Sequence, residues 1–225
     1  LQSVSDDGRD IQKIVDALEY TYSGNKFKRI IYTESHDEVA NGKARVPEEI
    51  QPGDAESKFA KRRAVLGLVL TLTAPGIPML FQGQEFLEDE YFQDTEALDW
   101  EKENRLSGIR ELVSDLIKLR TGASGGANGL LGQHLEIIHF NPENQILAYK
   151  RGGSEEEQTL VILNFKNQAY ENYGIGIADD KNWKLRINAD WKGYDIDFSE
   201  LEVTDLKIEK TETDGRPLTG SFNIP

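Results

Sequence analysis

Arg29-Ile-Ile-Tyr-Thr-Glu-Ser-His-Asp-Glu38 is the stretch whose reading decides the fold. Ile, Tyr and Thr favour extended backbone, so Phe27 to Ser35 reads as a strand. That strand delivers an imidazole, His36, and a carboxylate, Asp37, to its C-terminal tip. Strand tips are where a (β/α) barrel keeps its chemistry. Only 36 residues precede Asp37, so the other carboxylates of such a site are not obviously supplied upstream.

Working outward, Asp6, Asp7 and Asp10 lead into Ile11, Ile14, Val15 and Leu18. This is the spacing of an amphipathic helix with acids at its positive end. Residues 39–56, with Gly42, Pro47, Pro52 and Gly53, read as a loop. Ser57 to Thr73 reads as a helix, basic at first and then apolar nearly all round, which marks a buried one. Pro75-Gly76 stops it. Ile77 to Phe81 follows as a second short strand, ending in Gln82-Gly83-Gln84-Glu85. After a polar loop, Ser107 is placed to cap a third helix striped by Ile109, Leu112, Val113, Leu116 and Ile117. The order α-β-α-β-α predicts a parallel sheet.

Near residue 125 the pattern changes. Thr121 to Gly129 carries four glycines in nine residues and reads as a domain junction. Leu135–Phe140 and Gln145–Lys150 flank Asn141-Pro-Glu-Asn144, a hairpin signal. Thr159–Phe165, Trp183–Asn188 and shorter runs to Phe222 follow, at the spacing of an antiparallel sandwich. The expected domains are therefore 1–125, mixed α/β, and 126–225, all-β.

Composition narrows the function classes. There is no cysteine, which removes disulfides and thiolate metal sites. His36, His134 and His139 have no metal-ligand spacing, and no calcium-loop motif appears. No metal and no cofactor are expected. The 40 acidic against 26 basic residues, a formal net charge of -14, argue against nucleic acid and against an anionic membrane surface. A neutral partner such as a sugar is permitted. Ala64 to Leu72, the long apolar stretch, is too short to span a bilayer. No signal-peptide pattern opens the chain. A soluble, cytoplasmic setting is expected. Residue 1 is Leu and the one methionine is Met79, so a piece of a longer protein is the simplest reading.

Ile31-Tyr-Thr-Glu-Ser-His-Asp-Glu-Val39 resembles the motif on the seventh barrel strand of the α-amylase superfamily of glycoside hydrolases and transglycosylases. Ala74-Pro-Gly-Ile-Pro-Met-Leu-Phe-Gln-Gly-Gln-Glu85 is similar to that family's eighth strand and following turn. Leu98-Asp-Trp100, a helix and a β-rich tail keep the family's order. The string His36-Asp-Glu-Val-Ala-Asn-Gly-Lys43 most resembles 1,4-α-glucan (glycogen) branching enzymes, departing from their pattern at Ala40-Asn41. The resemblance implies the last two βα units of a (β/α)8 barrel followed by an antiparallel C-terminal β-sandwich.

It also implies roles. Asp37 matches the carboxylate that stabilises the oxocarbenium-like transition state, and His36 matches a neighbour that hydrogen-bonds the sugar. Glu38, Lys43 and Glu85 are further candidate substrate-binding residues. Retaining glycosidases need two more carboxyls about 5 Å apart, which this family takes from earlier strands. The chain alone is therefore expected to be inactive and its parent an enzyme. An α-glucan is the implied substrate, in branching or, alternatively, in amylase-type hydrolysis. A non-catalytic glucan-binding or bracing module is the remaining alternative. The strand edges are expected to pair with the rest of the barrel or to drive self-association.

Several residues have plainer readings. Glu34 is expected to pair with a basic neighbour. Arg45 can contact substrate hydroxyls, although loop bases are more often solvated. Glu85 lines the cleft or binds loop backbone. Trp100, Trp183 and Trp191 can stack on sugars, although tryptophans more often anchor cores or interfaces. His134 and His139 read as sandwich residues, and Glu155-Glu-Glu157 as a solvated hairpin tip.

Overall fold

A computed structural model describes residues 5–40, 44–153 and 157–225. Helix α1, Gln12–Glu19, buries Val15 and Leu18 as its periodicity predicts. Strand β1 is shorter than its β-forming run, Ile30–Ile31, because its pairing is confined to β2, Ile77–Pro78. The pairing is parallel, with Ile77 N–H donating to Arg29 O at 3.0 Å and Met79 N–H to Ile31 O at 2.9 Å.

The described residues between 39 and 56 include helix where a loop is expected. Helix α2, His36–Ala40, follows the strand tip, and α3, Val46–Ile50, is entered through Pro47, whose missing N–H costs nothing at a helix start. Helix α4, Lys58–Thr73, connects back to β2. Ser57 caps it by accepting from Ala60 N–H. Ser107 does not cap the third helix. Asp99 caps α5, Trp100–Arg105, and the chain passes through Leu106 into α6, Ser107–Arg120, so Ser107 is already helical. Ile117 falls off the buried stripe and is exposed.

Among the described residues the β-rich part forms two three-stranded antiparallel sheets. Strands β3 (Leu135–Asn141), β4 (Ile146–Arg151) and β5 (Thr159–Asn164) make one, as the hairpin signal predicts. Strands β6 (Tyr170–Ile177), β8 (Leu218–Ile224) and β7 (Lys207–Glu209) make the other, in that order. Ile138, Ile146 and Ala148 meet Ile175, Ile177, Phe222 and Ile224 between them. Trp183–Asn188 is not a strand. Leu185 N–H donates to the Asp205 carboxylate rather than to a ladder.

Strand β4 is buried on both faces, which explains its nearly unbroken apolar text. Side chains alternate along a strand, so Ile146 and Ala148 face the sandwich while Leu147 and Tyr149 face α1 with Val161 and Leu163. A third cluster joins Leu68 and Leu72 of α4 to Ile109, Leu112 and Leu116 of α6, and takes in Phe198 from the late loop. The β-rich and helical parts thus share apolar contacts on both sides of α4.

Candidate functional site

The site is built at the C-terminal ends of the two parallel strands. Beyond β1 the chain runs four residues to His36. Gln84, in a 3-10 turn at Gln84–Phe86 beyond β2, donates from its amide to Thr33 Oγ1. The two strand tips are thereby linked.

Glu34 turns inward. Its Oε1 accepts from Val46 N–H at 2.8 Å, and its Oε2 stands 3.4 Å from Arg45 Nη1. Burial pushes the Glu34 carboxyl up, while the Val46 N–H and the Arg45 charge pull it back. Arg45 also donates to Gln82 O at 2.8 Å and Glu90 O at 3.1 Å, and lies 4.8 Å over the Phe81 ring. Arg45 is thus neither solvated nor turned toward a ligand; it is buried and joins the two post-strand loops.

Glu88 fixes the second loop. It is buried and accepts from the N–H groups of Asp89, Glu90 and Asp99, at 2.9, 3.1 and 2.9 Å. The adjacent Asp89 meets the buried Lys102. Tyr91 donates its hydroxyl to Ala40 O, tying the end of α2 to this loop. Loop-holding by a carboxylate, considered for Glu85, is thus done by Glu88, three residues on. Glu85 itself is half-buried in the 3-10 turn. Nothing in the local text distinguished Glu88, because an acid within a polar loop has no diagnostic spacing.

On this braced platform the first turn of α2 presents His36, Asp37 and Glu38 to solvent. Acids at that position suit the positive end of the helix. His36 Nε2 and Asp37 Oδ1 are 3.2 Å apart, with side chains 69% and 80% exposed. An exposed carboxylate and imidazole in contact offer acceptors and a donor for sugar hydroxyls. Lys43 lies outside the described residues, as do Glu155 and Glu156 of the acidic run. Among the described residues no three His, Asp or Glu side chains group to hold a metal ion, and no helix is long and apolar enough to cross a membrane.

The other candidates lie elsewhere. His139 is buried in β3 between Asp214 and the Tyr173 hydroxyl, 2.8 and 2.9 Å away, so it fastens the sandwich. His134 is exposed just before β3. None of the three tryptophans is a core residue: Trp183 is partly covered, and Trp100 and Trp191 are exposed. A cavity of about 830 Å3 lies between α4, β5 and residues 181–190, away from α2.

Residues 137–225 match the family model described as the alpha amylase C-terminal all-beta domain, which is the sandwich. The first strand-tip motif and this match agree. The chain resembles the α-amylase superfamily. It is similar to a 1,4-alpha-glucan branching enzyme GlgB of Bacillus cereus, 32% identical over 81% of this chain and 28% of that protein. A branching enzyme of the same name from Corynebacterium diphtheriae is 29% identical over 94% of this chain and 29% of its own length. The chain thus spans under a third of the curated relatives it matches. Among solved structures, a pullulanase type I from Bacillus subtilis complexed with maltose shares the fold, with a TM-score of 0.63 and 18% identity over 94% of this chain and 31% of that one. A debranching enzyme from Nostoc punctiforme has a TM-score of 0.61 and 17% identity, over 95% of this chain and 37% of that one.

Proposed function

We propose that this chain is the C-terminal part of an α-glucan-active enzyme that branches 1,4-α-glucans. In this reading residues 1–125 carry the last two βα units of a (β/α)8 barrel and residues 126–225 the all-β domain. The observation that carries it is the exposed His36–Asp37 pair on α2, 3.2 Å apart, in a chain similar to branching enzymes. Parallel pairing of β1 with β2 across α4 supports the barrel reading.

Asp37 stabilises positive charge on the ring carbon and oxygen of the sugar in the transition state, and His36 holds a hydroxyl of the same sugar. Interactions stronger in the transition state than in the ground state raise turnover. Glu38, Lys43 and Glu85 are further substrate contacts. Nucleophile and acid/base come from other strands, so the chain alone turns over no glucan. The working compartment is the cytoplasm. The outer edges of β1 and β2 pair with the rest of the barrel or, without it, with another copy.

The test is an assay of the chain joined to the remaining barrel. Branching lowers the iodine absorbance of amylose without new reducing ends, whereas hydrolysis produces them. Likeness of fold to pullulanases and a debranching enzyme makes hydrolysis the second reading. Reducing ends in proportion to the absorbance change would overturn branching in its favour.

A further inference from the structure

The loop from Asp190 to Ser199 presents an aromatic ring whose mounting is unusual. A Cβ built on Gly193 would lie 2.3–2.4 Å from three neighbouring atoms of the Trp191 benzo ring, Cη2, Cζ2 and Cζ3. Near-equal distances to three adjacent ring atoms place Gly193 over the face of the indole, not at its edge. Tyr194 stands against the ring at 87°, with centroids 5.4 Å apart. Trp191 nevertheless remains 53% exposed. The indole is thus backed on one face by Gly193 and flanked by Tyr194, with about half of the residue left exposed.

The mounting is rigid. Lys61 of α4, itself buried, reaches Asp195 at 2.7 Å and Asp197 at 2.6 Å, and Arg62 pairs with Asp190. Ser199 N–H donates to Asp190 O at 2.8 Å, closing the base of the loop. Tyr194 donates its hydroxyl to Asp115 of α6 at 3.0 Å. Gly108 of α6 leaves room for Tyr194 O, which a Cβ there would meet at 1.9 Å. A groove of about 600 Å3 runs alongside, lined by Ser107, Arg110, Glu111, Ser114, Tyr194 and Ile196, the last 91% exposed.

We propose that Trp191 is a stacking platform for a pyranose ring of an α-glucan chain, separate from the His36–Asp37 site. The proposal rests on the α-glucan reading above and extends it to a second contact. An indole fixed in place and half exposed offers apolar ring surface to the C–H face of a sugar. The cations Lys192 and Arg110 beside it are matched within the protein, by Glu200 at 2.7 Å and Glu103 at 2.5 Å. The surroundings therefore suit a neutral, hydroxyl-rich ligand rather than an anion. Ser107 and Ser114 supply hydroxyls along the groove. Because the loop is already pinned, binding orders few side chains and its entropy cost is small.

The test is native electrophoresis of the full chain in gels with and without soluble glycogen, a readout that needs no turnover. Retardation by glycogen is expected, with Trp191→Ala weakening it about tenfold and Trp191→Phe retaining part of it. Tyr20→Ala removes an aromatic of equal exposure, 53%, and should leave retardation intact. Mobility in glycogen-free gels and the thermal midpoint establish that each variant is folded. If Trp191→Ala is retarded like the parent, or if Tyr20→Ala loses as much, the platform is wrong. An absence of retardation in the parent chain also overturns it. None of these results touches the branching assay, so the platform can fail while the His36–Asp37 reading stands, and the reverse.

Discussion

Arg45 and Glu34 face each other with side chains only 1% and 2% exposed, and Arg45 also reaches Gln82 O on the loop after β2. One guanidinium therefore joins the segments that follow both parallel strands. Removing one partner of a buried pair strands the other's charge, at a cost of about 3–5 kcal/mol. Glu34→Ala is expected to lose stability on that scale in urea unfolding, and an exposed control such as Glu38→Ala should change it little.

The buried Glu34 carboxyl is held above the ordinary glutamate range. A raised folded-state value means that the folded form binds the proton more tightly. The stabilisation from this group is thus complete in acid below the unfolded value of about 4.3. It fades as pH rises through the raised value. Glu34→Gln should flatten that part of the stability profile, measured by unfolding at a series of pH values.

Tyr149 is wholly buried on β4, and its hydroxyl lies 2.6 Å from Thr73 Oγ1 at the end of α4. Burial raises its phenol to about 12. Its contribution is complete below the unfolded value of about 10 and is lost as pH climbs from there to about 12. Tyr149→Phe should remove the alkaline slope while costing about 1 kcal/mol at neutral pH, one ordinary hydrogen bond.

Ile30 and Ile77, on β1 and β2, are 56% and 51% exposed. Apolar side chains on short, open-edged strands favour association. Light scattering should find the chain associating at high concentration, and Ile30→Lys with Ile77→Lys should shift it toward monomer. A parent chain that stays monomeric throughout would remove this element of the account.

What was legible from sequence follows a physical divide. Helix α4 and the β3–β4 hairpin are local features, set by an N-cap serine, a buried apolar run and Asn141, whose Oδ1 accepts from Asn144 N–H at 2.9 Å. Strand β1 was overextended because β-formers state a preference, whereas a strand needs partners, and pairing here is with a two-residue β2. Strand β6 went unnamed because Gly174 and Gly176 weaken the pattern; each lies where a Cβ would crowd Thr219 or Thr213. At the site, His36 and Asp37 stood out through their motif. Arg45 reads from sequence as a sugar-contacting or solvated base and Glu88 has no local signal, since their work is done on backbone carbonyls and amides distant in sequence.

The central claim is that Asp37 stabilises the transition state and does little for the fold. The decisive measurement is the rate of amylose branching by the chain joined to its remaining barrel, with and without Asp37→Ala. The side chain is 80% exposed, so the thermal midpoint should barely move while turnover falls by about two orders of magnitude or more. An Asp37→Ala enzyme that branches amylose at the parent rate would contradict the account.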